Sequence, residues 1–323
     1  MNAEASLGSI GETAALARIF PRLPGSAFAL VGPGDDAAVL TAPDARFVVT
    51  TDMMIHGPDF RLAWSSAHDL GWKAAASNLA DVAAMGAVPT GLVVALAAPS
   101  GTSVAFLEEF ADGLRDGCAA MAPGCGVVGG DLSVSATLTI AVTAFGDLEG
   151  RDPVLRSGAR VGDVVAVSGV LGAAAAGIRL LFSDAVSEGR PDASLASALR
   201  ASRPEITAQL APTPPIADGR LAALEGATAM IDLSDGLVLD ARRLAQASGV
   251  GIDLDAARVG PGDALTGGED HSLLATFPAG ARLPGGFRAV GTVIVDTGVF
   301  VDGLPFEARG GWDPYEGWDG GDG

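Results

Sequence analysis

The sequence predicts an α/β (α+β) protein of two domains, residues 1–150 and 151–323. Three observations carry this. Short β-branched runs alternate with long alanine-rich segments. The 323 residues exceed one small module and suit one large domain or two of ordinary size. The stretch DLEGRDPVLRSGARVGD breaks the hydrophobic pattern near residue 150.

The elements follow in order. Residues 7–20 read as a short amphipathic helix closed by Pro21 and Pro24. Phe28–Val31 and Val39–Leu40 read as strands around a Gly-Pro-Gly-Asp-Asp turn. Arg46–Thr51 is rich in β-branched residues and predicts a strand ending at Asp52. Ser65–Met85 predicts a helix with Ser66 as its N-cap. Then come a strand at Gly91–Ala98, a helix at Ser103–Ala122, a short strand at Gly126–Val128 and a strand at Thr137–Phe145. In the second half, Asp163–Ser168 predicts a strand leading through glycines into a helix. Residues 183–219 fit no single pattern. Ala229–Leu233, Val250–Leu254, His271–Phe277 and Ala289–Val295 read as strands, with a helix over Gly236–Ala247.

Composition excludes several classes. With 49% hydrophobic and 18% charged residues, the chain is not disordered. A net charge of −19 repels nucleic-acid phosphates and anionic lipid, so no nucleic-acid or membrane partner is expected. Cys118 and Cys125 have no companion cysteine or histidine cluster, which excludes a four-cysteine zinc site and a disulfide scaffold. The N-terminus has no basic segment before its apolar residues, so a cytoplasmic protein without a signal peptide is expected. The apolar run from Val164 to Phe182 is interrupted by glycines and Arg179, so it is read as strand, turn and helix.

Acidic residues recur at apparent strand ends and glycine turns. They are Asp35 and Asp36 in GPGDDAAVL, Asp52 in VVTTDMM, Asp131 in VVGGDLS, Asp232 and Asp235 in MIDLSDGL, and Glu269 in LTGGED. The rim of a sheet is where α/β proteins bind ligands. Asp81 differs: it lies on the Ser77, Asn78 and Met85 face of an alanine-rich helix, where an acid needs a partner. Each acid also has a structural reading. Asp35 or Asp36 could close an Asx turn, Asp235 could cap the next helix, and Gly267-Gly268 could be a plain turn. Jointly they suit Mg²⁺, which takes carboxylates together with substrate phosphates. Two phosphate anions about 4 Å apart repel by about 4 kcal/mol at an effective dielectric of about 20. A Walker lysine is absent, since Lys73 follows Gly71-Trp72, and the chain holds no other lysine. Several Mg²⁺ ions and a few arginines would therefore carry that charge, with Arg156 the best-placed arginine for a nucleotide phosphate; a solvated interdomain arginine is its alternative reading.

Seven segments occur in order: GPGDDAAVL, TTDMMIHGPDF, GWKAAASNLADVAAMGA, VVGGDLS, LRSGARVGD, MIDLSDGL and LTGGEDH. Together they resemble the thiamine-monophosphate kinase family of the aminoimidazole-ribotide-synthetase-like ATP-binding superfamily. The resemblance implies that superfamily's two-domain fold and a homodimer joined through the N-terminal domain. It implies ATP- and Mg²⁺-dependent phosphorylation of thiamine monophosphate, with ATP as co-substrate. Carried over by motif, Asp36, Thr50, Thr51, Asp52, Asp81, Asp131, Asp232 and Asp235 would hold metal, with Asp52, Asp232 and Asp235 at the reacting centre. Gly130, Asp131, Arg156 and Ser234 would meet the nucleotide. Glu269, Asp59 and the C-terminal Trp312 and Tyr315 would lie on the acceptor side. Asp59 stands where the family has His, Trp312-Asp313-Pro314-Tyr315 departs from the family's tail, and the segment between Asp255 and Gly267 is short and lacks a helix. Two alternatives stay open: a superfamily enzyme with another acceptor, and a nucleotide- and metal-binding paralogue without turnover.

Overall fold

The structure is a computed structural model and describes residues 5–33 and 38–311. Asp35, Asp36, Trp312 and Tyr315 lie outside the described residues.

The first half opens with helices α1 (Leu7–Ile10) and α2 (Glu12–Ile19), separated at Gly11 where one helix was expected. Strands β1 (Ala29–Val31) and β2 (Val39–Leu40) pair antiparallel. A four-stranded sheet follows from β3 (Val48–Ile55), β4 (Val88–Ala98), β5 (Gly126–Val134) and β6 (Thr139–Asp147). Its order is β3-β6-β4-β5, antiparallel except for β4 with β5. Helices α3 (Ala67–Ala84) and α4 (Val104–Met121) connect these strands. Ser66 caps α3 by accepting from Asp69 N–H, and Asp69 answers in a capping box.

Two strands correct the sequence reading. β3 runs through Asp52 to Ile55, because Met53, Met54 and Ile55 continue the extended apolar pattern. Gly129-Gly130-Asp131 lies inside β5, not after it. A bulge at Val128 just precedes the glycines, with the register shifting between Leu92 and Val93. A Cβ on Gly130 would stand 2.1 Å from the Val94 carbonyl oxygen, so only glycine fits.

The second half is built on seven strands. They are β7 (Val164–Ser168), β10 (Ala229–Leu233), β11 (Gly251–Leu254), β12 (Ser272–Phe277), β13 (Arg288–Ile294), β14 (Gly298–Val301) and β15 (Leu304–Pro305). Their order is β10-β12-β7-β13-β11-β14-β15. Helices α5 (Ala173–Asp184) and α9 (Leu237–Ser248) follow β7 and β10. The stretch without a pattern folds as a hairpin, β8 (Val186–Ser187) with β9 (Arg190–Pro191), and helices α6 (Ala193–Arg200), α7 (Pro204–Leu210) and α8 (Ile216–Leu224). The short segment after Asp255 does hold one helical turn, α10 (Ala256–Val259). No helix among the described residues is long and apolar enough to cross a membrane.

One hydrophobic core crosses from half to half: Leu79, Val82 and Leu92 belong to it together with Ile216, Met230 and Phe277. Helix α3 runs through it with nearly every residue buried. Arg200 of α6 grips the buried Asp69 carboxylate with two bonds of 2.7 and 2.8 Å, and Trp72 Nε1 donates to the Pro212 carbonyl. The first turns of α3 are thus tied to the second half.

Candidate active site

The period of a strand puts Thr50, Asp52 and Met54 on the face of β3 that meets α3. There the Asp52 N–H donates to Asn78 Oδ1 at 3.2 Å, and Thr50 donates its hydroxyl to Asp81 Oδ2 at 2.7 Å. From the other half, Asp232 comes in near the end of β10, 5% exposed. A cavity of about 680 Å³ opens here, lined by Thr50, Asp81, Arg156 and Asp232 with Phe47 and Met230 among its apolar walls. Its size suits a nucleotide-sized ligand.

The loop before β12 closes the site. Glu269 donates its N–H to the Ser234 carbonyl at 2.8 Å, and His271 to the Leu233 carbonyl at 3.1 Å. Both residues have positive φ, 71° and 50°. Outside glycine such backbone is uncommon and gathers at functional sites. Glu269 Oε2 lies 2.5 Å from Lys73 Nζ of α3. His271 Nδ1 lies 3.6 Å from Asp232 Oδ2, beyond hydrogen-bond range but within electrostatic reach. Asp59 Oδ2 accepts from Ile55 N–H at 2.7 Å, and its carboxylate senses both Lys73 and Glu269.

The charges interact across the halves. Burial, then Asp232 and Asp52, push Asp81 up to about 7. Asp52 is raised by burial and by Asp232 and Glu269, against the pull of His271 and a Ser77 hydrogen bond. Burial works against protonating His271, but Asp232 and Glu269 outweigh it and raise its pKa. Burial would also raise Glu269, yet Lys73 and His271 outweigh it and hold that carboxyl below its usual range. This is an acid-rich cleft whose carboxylates repel one another. Among the described residues, no three His, Cys, Asp or Glu side chains stand close enough to hold a metal ion unaided.

Comparison with known proteins agrees with this layout. Residues 34–148 match the family model "AIR synthase related protein, N-terminal domain", and residues 160–282 match "AIR synthase related protein, C-terminal domain". Thiamine-monophosphate kinase of Mycobacterium tuberculosis is 41% identical over 96% of this chain and 93% of its own. The chain belongs to the thiamine-monophosphate kinase family. The solved thiamine-monophosphate kinase of Stenotrophomonas maltophilia matches with a TM-score of 0.74 at 31% identity, covering 91% of this chain and 96% of that one. AaThiL complexed with AMPPCP and TMP matches with a TM-score of 0.72 at 34% identity, covering 86% and 90%.

Within this family member, the residues singled out by sequence separate into groups. Thr50, Asp52, Asp81, Arg156 and Asp232 converge, with Asp59 and Glu269 beside them. Ser234 supplies the carbonyl that holds the Glu269 loop. Asp235 turns aside to Arg243 at 2.6 Å, and Gly236, not Asp235, occupies the N-cap of α9. Thr51 faces the opposite side of β3, its hydroxyl on the Val142 carbonyl. Asp131 pairs with Ala95 and, through Ala141, lies in the row of Met53, so it shares that opposite face. Gly130 pairs with Val94 in the row of Asp52. Sequence reasoning gave no role to Lys73, Asn78 or His271. The signal for Lys73 was its standing as the only lysine, inside one of the family segments.

Proposed function

We propose that the protein transfers the γ-phosphoryl group of ATP to thiamine monophosphate, giving thiamine diphosphate and ADP. One observation carries the proposal: Thr50 and Asp81 from one half, and Asp232 and Arg156 from the other, line a single nucleotide-sized cavity. The relative AaThiL was solved with AMPPCP and TMP, which supports both ligand classes.

The donor set fits Mg²⁺. It consists of mutually repelling carboxylates, Asp232 buried and Asp52 and Asp81 half-buried, and a hydroxyl, with burial first and then Asp232 and Asp52 lifting Asp81 to about 7. Asp52, Asp81 and Asp232 would hold the ions, with Thr50 orienting Asp81 through its hydroxyl. When bound, the ions neutralise the meeting phosphates and polarise the transferring group. Arg156, exposed on the cavity wall, adds a cation for the nucleotide. The acceptor is already an anionic phosphate oxygen, so no general base is required; positioning for in-line attack supplies most of the acceleration. Glu269, with Asp59 nearby, faces the acceptor. Asp36, Trp312 and Tyr315 join these roles by motif alone. Residues 1–150 would bind nucleotide and metal, and residues 151–323 would complete the site.

A homodimer is part of this reading. The outward face of the four-stranded sheet exposes Val49 at 54% and Met53 at 59%, an apolar surface suited to a second copy. Thr51 and Asp131 lie on that face, and pairing would bring them under cover. We place the reaction in the cytoplasm, where the free buried thiols of Cys118 and Cys125 stay reduced.

The test is direct. Protein incubated with ATP, Mg²⁺ and thiamine monophosphate should yield thiamine diphosphate and ADP in equal amounts, and EDTA should stop it. ADP with inorganic phosphate but no thiamine diphosphate would point to another acceptor. No turnover with intact ATP binding would point to a binding paralogue.

A further inference from the structure

We propose that Lys73 is a positioning residue for the acceptor, acting through Glu269 and not through the nucleotide. This rests on the functional reading above and names a residue of the acceptor side.

Lys73 is the only lysine in the chain and is 6% exposed. It lies on α3 one turn before Ser77 and two turns before Asp81, so the three share a face. A buried ammonium requires an anionic partner. Among the described residues that partner is Glu269 of the opposite half, 2.5 Å away. The Glu269 backbone is fixed independently of this bond, by its positive φ and by its N–H on Ser234. Gly268 before it packs so closely that a Cβ would stand 2.4 Å from the Ser234 carbonyl oxygen. The Glu269 side chain nevertheless keeps 37% of its surface exposed.

The pair therefore has a rigid base, a charged clamp and an open flank. Lys73 takes Oε2 and fixes the plane of the carboxylate, leaving Oε1 as the acceptor for an incoming group. Thiamine monophosphate carries a thiazolium cation, for which an oriented carboxylate is a suitable counter-charge. Neither Lys73 nor Glu269 lines the cavity assigned to the nucleotide. Loss of Lys73 would release or protonate Glu269, weakening acceptor binding and sparing ATP.

The experiment compares wild type with Lys73→Met, Lys73→Arg, Glu269→Gln and the K73M/E269Q double variant. Steady-state constants for both substrates and thermal midpoints are measured for each. Lys73→Met should raise KM for thiamine monophosphate at least about 10-fold and leave KM for ATP within about twofold. Lys73→Arg should recover part of the loss. The double variant should regain the thermal midpoint lost in Lys73→Met yet keep the high acceptor KM, no worse than either single change. Recovery of acceptor KM together with the midpoint would make the pair purely structural and overturn the proposal. A rise in KM for ATP, or no change for either substrate, would overturn it as well. Wild type that forms no thiamine diphosphate would overturn the functional reading itself, and this inference with it.

Discussion

Burial beside Asp232 and Asp52 lifts Asp81 from 3.8 to about 7, and this sets the direction of its contribution to stability. The folded-state value lies above the unfolded one. As pH rises from 3.8 to about 7 the unfolded chain gives up this proton first, so stability falls across that window and levels off beyond it. In EDTA at pH 8, Asp81→Asn should therefore raise stability by about 1–2 kcal/mol, since the amide oxygen still accepts from Thr50 and the repulsion is gone. The same substitution should lower turnover at least about 100-fold if Asp81 holds Mg²⁺ as proposed, because the site then loses a ligand. Thermal melting with and without Mg²⁺ reads the first effect, and product formation the second. A midpoint that falls at pH 8 without metal would show that the carboxylate supports the fold instead of straining it.

At the scale of elements, α3 organises the site, and its packing depends on glycine. Gly71 and Gly113 allow α3 and α4 to touch: a Cβ at Gly71 would stand 2.1 Å from the Phe110 carbonyl oxygen. Gly71→Ala should cost at least about 1–3 kcal/mol in urea unfolding, with turnover falling as Lys73 and Asp81 shift together. An unchanged unfolding midpoint would mean that the crossing adapts. Much of this element was legible beforehand. Ser66 marked the start of α3, and the spacing of Ser77, Asn78 and Asp81 marked a polar face on an alanine-rich helix. The acids of β3 and β10 stood out because apolar strands ran into them. What could not be read was which face each residue takes once strands pair. Thr51 and Asp131 look equivalent to Asp52 in sequence, but they lie inside β3 and β5, where alternation carries them to the other side. The glycines at 129–130 signal a turn locally, and only pairing with the β4 backbone keeps them inside a strand. Asp235 was drawn to Arg243, an ion pair between residues eight apart on either side of a helix start that pattern reading does not resolve.

For the whole molecule, two surfaces matter: the cleft between the halves and the outward sheet face. If that face joins two copies, Met53→Asp should shift the protein from dimer to monomer in light scattering at micromolar concentration, because a buried unpaired carboxylate opposes association. A variant that remains dimeric would place the interface elsewhere. The cleft is the central claim: one acid from each half must act on the same metal–nucleotide complex. Calorimetric titration of Mg²⁺-AMPPCP into wild type, Asp52→Asn and Asp232→Asn measures this most directly. Each substitution should weaken binding at least about 10-fold while leaving the thermal midpoint within a few degrees. Wild-type affinity in either variant would show that its half of the molecule does not hold the complex, and would contradict the shared site.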